Sequence, residues 1–360
     1  NDIFNIKAVA GKQDGEIGDD RFVFFDSCSI GTAAGGDGDD IIDLSNLTSA
    51  QTITFSGTTV KGVSSVYRVI GNAAQNHTLQ ATSGTNTWRI FDVDNDALST
   101  TISDGVNDGH INDGTDTLQF VNFSNLQGGS GVDTFEIETN FTGSIKGGGN
   151  NDIFNIKAVA GNIEGEAGDD QFVFFDTGSI TTAAGGTGND IVDLSNLTTS
   201  QIITFTGTTV KGISSIFRVI GSASLAHTLE ATSGTNTWRI YEVDNDALST
   251  TVSDGINDGH ITNSNGTLQF VNFSNLYGGS DVDTFDIETN FTGLIKGGGN
   301  NDIFNIKAVA TNIDGGIGDD RFVFFDSGSI VTAAGGDGDD IGDLSNLTSA
   351  QTITFSGTTV

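Results

Sequence analysis

Glycine turns at nearly even spacing, stretches of alternating polarity between them, and a long segment that returns at an offset of 150 predict an all-β chain. They predict it wound as a right-handed parallel β-solenoid built from tandem repeats. The turns start at Gly128, Gly147, Gly165 and Gly185, and the same uneven steps recur at Gly278, Gly297, Gly315 and Gly335. Each interval reads as one coil. An apolar stretch follows each turn, such as Thr134-Phe135-Glu136-Ile137 or Phe172-Val173-Phe174. Alternation then assigns faces: Phe154, Ile156 and Ala158 share the inward parity, and Ile153, Asn155 and Lys157 the outward one. With one strand layer of ~4.8 Å per coil and about seven coils per copy, each copy is expected to advance roughly 30–35 Å as a rod.

The long period is explicit. Asn1-Asp2-Ile3-Phe4-Asn5-Ile6-Lys7-Ala8-Val9-Ala10 returns unchanged from Asn151 and from Asn301, and aligning the first two copies leaves roughly three quarters of positions identical. The chain divides into copy 1 (1–150), copy 2 (151–300) and a partial copy 3 (301–360). There is no proline, so Pro-rich linkers are not expected and the copies should run on as one body. Residues 61–127 follow the coil rhythm less clearly, with strand-like stretches at 65–70, 87–91 and 117–123, and are expected to form longer or decorated coils. The copies differ most at 72–80 and 112–116, which suggests exposed loops.

Composition narrows the function. Fifty glycines, 25 phenylalanines and no methionine suit many short strands joined by tight turns. The formal net charge of -33 opposes nucleic-acid phosphate and anionic membrane surfaces as partners and makes cations the natural ones. No apolar stretch approaches the ~18 residues of a membrane span. Any secretion signal is expected outside this sequence. Cys28 stands where the later copies carry Gly178 and Gly328, so it belongs to no repeated disulfide or metal site. Near-identical tandem copies favour a shaft, filament or multivalent binder, which gains reach or avidity from each copy, over a catalytic domain.

The turns carry the one motif with chemistry. They read Gly35-Gly36-Asp37-Gly38-Asp39-Asp40-Ile41-Ile42, Gly128-Gly129-Ser130-Gly131-Val132-Asp133-Thr134-Phe135, Gly185-Gly186-Thr187-Gly188-Asn189-Asp190-Ile191-Val192 and Gly315-Gly316-Ile317-Gly318-Asp319-Asp320-Arg321-Phe322. This pattern resembles the RTX, or haemolysin-type, calcium-binding nonapeptide. The resemblance implies Ca²⁺ between successive turns, held by Asp20, Asp40, Asp133, Asp152, Asp170, Asp190, Asp283, Asp302, Asp320 and Asp340. The chain departs from the family in having one turn per coil. Glu16 and Glu166 also replace the second glycine, Asn150, Asn300 and Asp281 the glycine at position four, and Gly342 the apolar anchor. The alternative reading is that Gly and Asp are simply good turn formers, with Asp capping free main-chain amides and no ion bound.

A second resemblance covers residues 117–137, where Thr-Leu-Gln-Phe-Val-Asn-Phe-Ser-Asn-Leu runs into the Gly128 turn, preceded by Trp88-Arg89-Ile90. It is similar to repeat modules of giant bacterial surface adhesins related to filamentous haemagglutinins, which implies export, cell-surface display and adhesion or biofilm-type matrix formation. The expected partners are other copies of the same chain, end to end or laterally, together with surface glycans or host or neighbouring cells.

A carbohydrate-binding or polysaccharide-degrading β-helix is the alternative, since such folds place acids and bases in a groove. His77, His110, His227 and His260 lie near Asp104, Asp108 and Asp113, but Asp113 becomes Asn263 in copy 2, so surface histidines in polar loops are expected and no catalytic residue is assigned. Trp88 and Trp238 suit core packing better than sugar stacking. Asn46, Asn76, Asn122 and Asn140 begin glycosylation triplets of a kind chance produces in such a chain. Asp94 and Asp96, around Asn95, lack the glycine and distal acid of an EF-hand and read as a solvated turn.

Overall fold

The structure is a computed structural model that describes residues 1–91, 107–232, 234–241 and 257–350. Among the described residues all regular structure is strand. The chain separates into two compact units, Asn1–Asp190 and Ile191–Val360, a division that falls inside the second repeat copy rather than at its boundary.

In the first unit the chain passes alternately through two mainly parallel sheets. In one, Thr134–Ile137 pairs with Ile153–Ile156 and that strand with Gln171–Phe174, all parallel, in a register that sets Phe135 beside Phe154 and Phe154 beside Phe172. In the other, Asn125–Gly129, Phe141–Gly149, Val159–Ala167 and Ser179–Thr187 follow one another in parallel. The alternation expected of 153–158 holds at its centre, where Phe154 and Ile156 are wholly buried and Ile153 and Asn155 are half-exposed; Ala158 is half-exposed as well. Because the register repeats, like sits on like: the Phe135, Phe154 and Phe172 rings stack at 5.2 and 5.1 Å with interplanar angles of 8° and 18°. Each such ring contributes about 1.5–3 kcal/mol through burial, plus a smaller stacking term.

The strands within 52–64, 87–90 and 109–121 break the run of parallel pairings by a device absent from the expected coil. Arg68–Ile70 pairs in parallel with Thr117–Val121, that strand antiparallel with Gly109–Asn112, and that one antiparallel with Thr87–Ile90, which returns to parallel pairing with Thr134–Ile137. The opposite sheet does the same on a smaller scale, from Val63–Ser64 through Thr59–Val60 to Thr52–Ser56, which then pairs in parallel with Thr78–Ala81. Two reversals restore the original strand direction, so a three-stranded meander can be spliced into a parallel sheet without leaving an open edge. Trp88 lies where the meander rejoins the coils. It is fully buried, stacked 5.4 Å from Phe135 and edge-on to Phe55 and Phe120, so it belongs to the core.

The second unit repeats these arrangements with its own residues. Thr284–Ile287, Ile303–Ile306 and Arg321–Phe324 pair in parallel, and Trp238, Phe285, Phe304 and Phe322 form one stack with successive separations of 5.4, 5.2 and 5.0 Å. Its meander runs through Thr237–Ile240, Gly259–Asn263 and Gly266–Val271.

Candidate functional site

The glycine turns bring their aspartates into files inside the turn edge. In the first unit Asp133, Asp152, Asp170 and Asp190 are each fully buried. Each uses Oδ1 to accept a main-chain N–H from the coil before it: Asn86 to Asp133 at 2.8 Å, Asp133 to Asp152 at 2.7 Å, Asp152 to Asp170 at 2.8 Å and Asp170 to Asp190 at 3.0 Å. Asp20 and Asp40 form a shorter file, accepting from the N–H groups of Asp2 and Asp20 at 2.5 and 2.9 Å. In the second unit Asn236, Asp283, Asp302, Asp320 and Asp340 follow the same rule at 2.7 to 3.0 Å. Asp340 differs from the other nine in being exposed.

The second carboxylate oxygen is left over. Oδ2 of Asp20, Asp40, Asp133, Asp152, Asp170, Asp190, Asp283, Asp302 and Asp320 is buried without a hydrogen-bond partner. It lies against the first glycine of its own turn. A Cβ added at Gly165 would meet Oδ2 of Asp170 at 2.2 Å and the Gly185 carbonyl oxygen at 2.3 Å, so this glycine is required by close approach. The next position is conformationally demanding instead: Gly129, Gly148 and Gly186 have φ of 112°, 113° and 118°, and Glu16 and Glu166 hold φ of 65° and 75° in the same place. A left-handed Glu costs roughly 1–2 kcal/mol. Part of that is offset at Glu166, whose carboxylate meets Lys146 Nζ at 2.8 Å.

Enclosure raises the proton affinity of these acids. Burial pushes Asp152 up to about 8 and Asp170 to about 7, and a neighbouring acid adds to each shift while the accepted N–H opposes it. Burial likewise takes Asp133 and Asp190 to about 6, and Asp283 and Asp302 to about 7, and raises Asp40 and Asp320. At Asp133 the Trp88 indole opposes the shift, although its nitrogen makes no hydrogen bond of normal geometry.

A second file was not foreseen. Except at Val132 and Val282, the residue before the turn aspartate is also Asn or Asp, and in several turns its oxygen accepts from the equivalent residue of the next coil: Asp169 N to Asn151 Oδ1 at 2.9 Å and Asn189 N to Asp169 Oδ1 at 2.7 Å. Asp319 and Asp339 repeat this on Asn301 and Asp319. The signal lies in the Asn or Asp at that position of every turn but those at Val132 and Val282.

The donor set suits a hard cation in kind. One unpartnered carboxylate oxygen and a glycine carbonyl oxygen of the following turn border the same glycine α-carbon, and calcium accepts such oxygens in loose geometry. Among the described residues no group of three or more His, Cys, Asp or Glu side chains converges, so an ion here would rely on main-chain carbonyls. The same geometry realises the amide-capping role of Asp through Oδ1.

The remaining candidates fall elsewhere. His77 and His227, expected at the surface, are fully buried: Nδ1 accepts the N–H of Gln51 or Gln201 at 3.1 Å, and burial pushes both imidazoles down. Each imidazole packs against an aromatic ring, Phe123 or Phe273, with ring centroids 6.4 Å apart. His110 and His260 are half-buried against Phe91 and Tyr241. Cys28 contacts the Phe25 main chain. Asp94, Asn95, Asp96 and Asp104 lie outside the described residues. Among the described residues no helix is long and apolar enough to cross a membrane. No known family model matches the chain, and a search of curated proteins returns no relative.

Proposed function

We infer that the chain is a length of the structural shaft of a secreted or cell-surface repetitive adhesin or extracellular filament, closed as a right-handed parallel β-solenoid. The single observation that carries this reading is the repeated register. Aromatic rings, turn glycines and turn aspartates each stack on their own equivalents within both units, so every coil supports the next and the chemistry is repeated rather than gathered at one place. Such a body lengthens by adding copies, which is what the recurrence from Asn1, Asn151 and Asn301 supplies.

Calcium belongs to the same reading. The unpartnered Oδ2 atoms supply the carboxylate oxygens, and Asp133, Asp152, Asp170 and Asp190 with Asp20, Asp40, Asp283, Asp302, Asp320 and Asp340 are the residues that would hold the ion. When bound, it would neutralise part of the formal charge of -33 along the edge where that charge is enclosed. The RTX-like turn pattern and the adhesin-like 117–137 segment support export to the cell surface, with further copies of the chain as assembly partners. Electron microscopy of the purified native material tests the shaft: long thin fibres are expected, and separate globules on flexible joints would sink it. Melting with and without a chelator tests the metal independently, with a lower melting temperature expected after chelation and an unchanged curve removing calcium alone.

A further inference from the structure

We propose that an open groove in the first unit, about 490 Å³ in volume, binds a neutral glycan. The groove lies over the strands that carry Asn125, Ser144, Asn162 and Thr182, four polar residues held in register on consecutive coils. At ~4.8 Å per strand the column spans about 14 Å. Its groups hold one another in fixed orientations: Thr182 Oγ1 donates to Asn162 Oδ1 at 3.0 Å, and Asn162 Nδ2 donates to Ser144 Oγ at 3.2 Å. The Ser144 hydroxyl hydrogen and the Thr182 lone pairs remain available to a ligand. Gly143 and Gly161, which carry no side chain, line the groove too, with Asn76 and Asn107.

The lining selects the ligand class. It contains no charged side chain in a protein of net charge -33, so polyanions are repelled at long range and meet no cation on arrival. No aliphatic or aromatic side chain lines it, so an apolar ligand gains little by entering. Amides and hydroxyls in a fixed row match a polyhydroxyl chain, which offers donors and acceptors along its whole length. Without an aromatic platform the affinity is modest, with Kd on the order of 1 mM.

The chain carries its own control. At the equivalent positions of the next copy Ala226 replaces Asn76, Leu294 replaces Ser144, Thr311 replaces Gly161 and Val331 replaces Thr181. These changes remove three polar side chains and add a side chain at the position equivalent to Gly161. Half-exposed Asn107 accepts the Thr142 N–H at 3.3 Å, whereas its equivalent Asn257, only 8% exposed, accepts the Thr292 N–H at 2.9 Å and also donates to the Thr292 carbonyl at 2.8 Å. The groove therefore belongs to the first unit's residues, and it stands whether or not an ion sits at the turns.

Saturation-transfer NMR on the full chain tests it. Neutral oligosaccharides of β-1,4-glucan, β-1,3-glucan, α-1,4-glucan and mannan are compared with oligomers of alginate and polygalacturonate. At least one neutral oligosaccharide is expected to bind with Kd on the order of 1 mM, and the acidic ones more weakly. The double variant Ser144→Leu/Thr181→Val imports the side chains carried at 294 and 331 and is expected to lose at least about tenfold in affinity with its melting temperature within ~2 °C of the parent. If that variant melts lower, Asn76→Ala, an exposed loop change, replaces it, with about a threefold loss expected. Binding of no neutral glycan, equal binding of the acidic ones, or a correctly folded variant that binds like the parent overturns the proposal.

Discussion

The buried carboxyl file and the outward polar column run over the same coils and have diverged in opposite ways. Along the file every buried turn aspartate of 128–190 and the first glycine of every turn is repeated in the next copy, from Gly128 and Gly278 to Asp190 and Asp340, and of the turn glycines Gly131 alone changes, to Asp281. Along the column and its groove, Ser144 has become Leu294, Gly161 Thr311 and Thr181 Val331. The difference is one of surroundings. An inward residue is fixed by the coil on either side, so Gly165 cannot gain a Cβ without striking both its own Asp170 and the next turn. An outward residue faces solvent, where most substitutions cost within about 0.5 kcal/mol. Repetition thus preserves the scaffold and leaves the outer face free to specialise.

The comparison is best broken from the inside. Phe154→Ala, in the middle of the ring stack, is expected to cost about 3–5 kcal/mol in urea unfolding of the full chain, and Phe304→Ala a similar amount in the second unit. A loss below about 1 kcal/mol at either would show that the stacks do not carry the fold. Gly165→Ala comes next, at about 2–3 kcal/mol, because main chain and carboxyl must both move.

The carboxyl file also makes a prediction about acid. Its folded-state pKa values, about 6 to 8 at Asp133, Asp152, Asp170 and Asp190, lie above the ordinary carboxylate value, so the folded state holds these protons more tightly than the unfolded one. That stabilisation is fully present below about pH 4 and is lost as pH rises through 6 to 8. In chelator-containing buffer the melting temperature should therefore fall from pH 5 to pH 8, with a slope of up to about 1.4 kcal/mol per pH unit for each proton released. His77 and His227 act in the opposite sense. Their folded values are lowered, so stability declines as pH falls below about 6.5, and the profile should bend over on its acid side. Asp170→Asn sharpens the test: it keeps an oxygen in place of Oδ1 and removes the charge, and it should flatten the alkaline limb. An unchanged limb would relocate the linked protons.

The smallest expected effect is on the outer face. Ser144→Leu should change stability by less than about 0.5 kcal/mol, measured by the same unfolding assay. A larger loss would mean that the polar column supports the coils.

Much of this was legible in the sequence. The period of the glycine turns gave the recurring parallel strands, and alternation gave the inward faces of Phe154 and Ile156, because a strand has only two sides and the buried one must be apolar. The turn aspartates were also identified, since Gly-Gly-x-Gly-x-Asp is a local pattern. What local pattern cannot carry is the partner of each group across coils. Only the tertiary structure decided that Oδ1 of Asp152 serves the amide of Asp133 while Oδ2 stays enclosed. Register and pairing likewise decided that 52–64, and 87–90 with 109–121, form antiparallel meanders and that His77 is buried. A sequence states its own periodicities directly, but burial and hydrogen bonding are properties of neighbours brought together from a coil or more away, as Asp152 is to Asp170 and Asn86 to Asp133, and packing alone selects those neighbours.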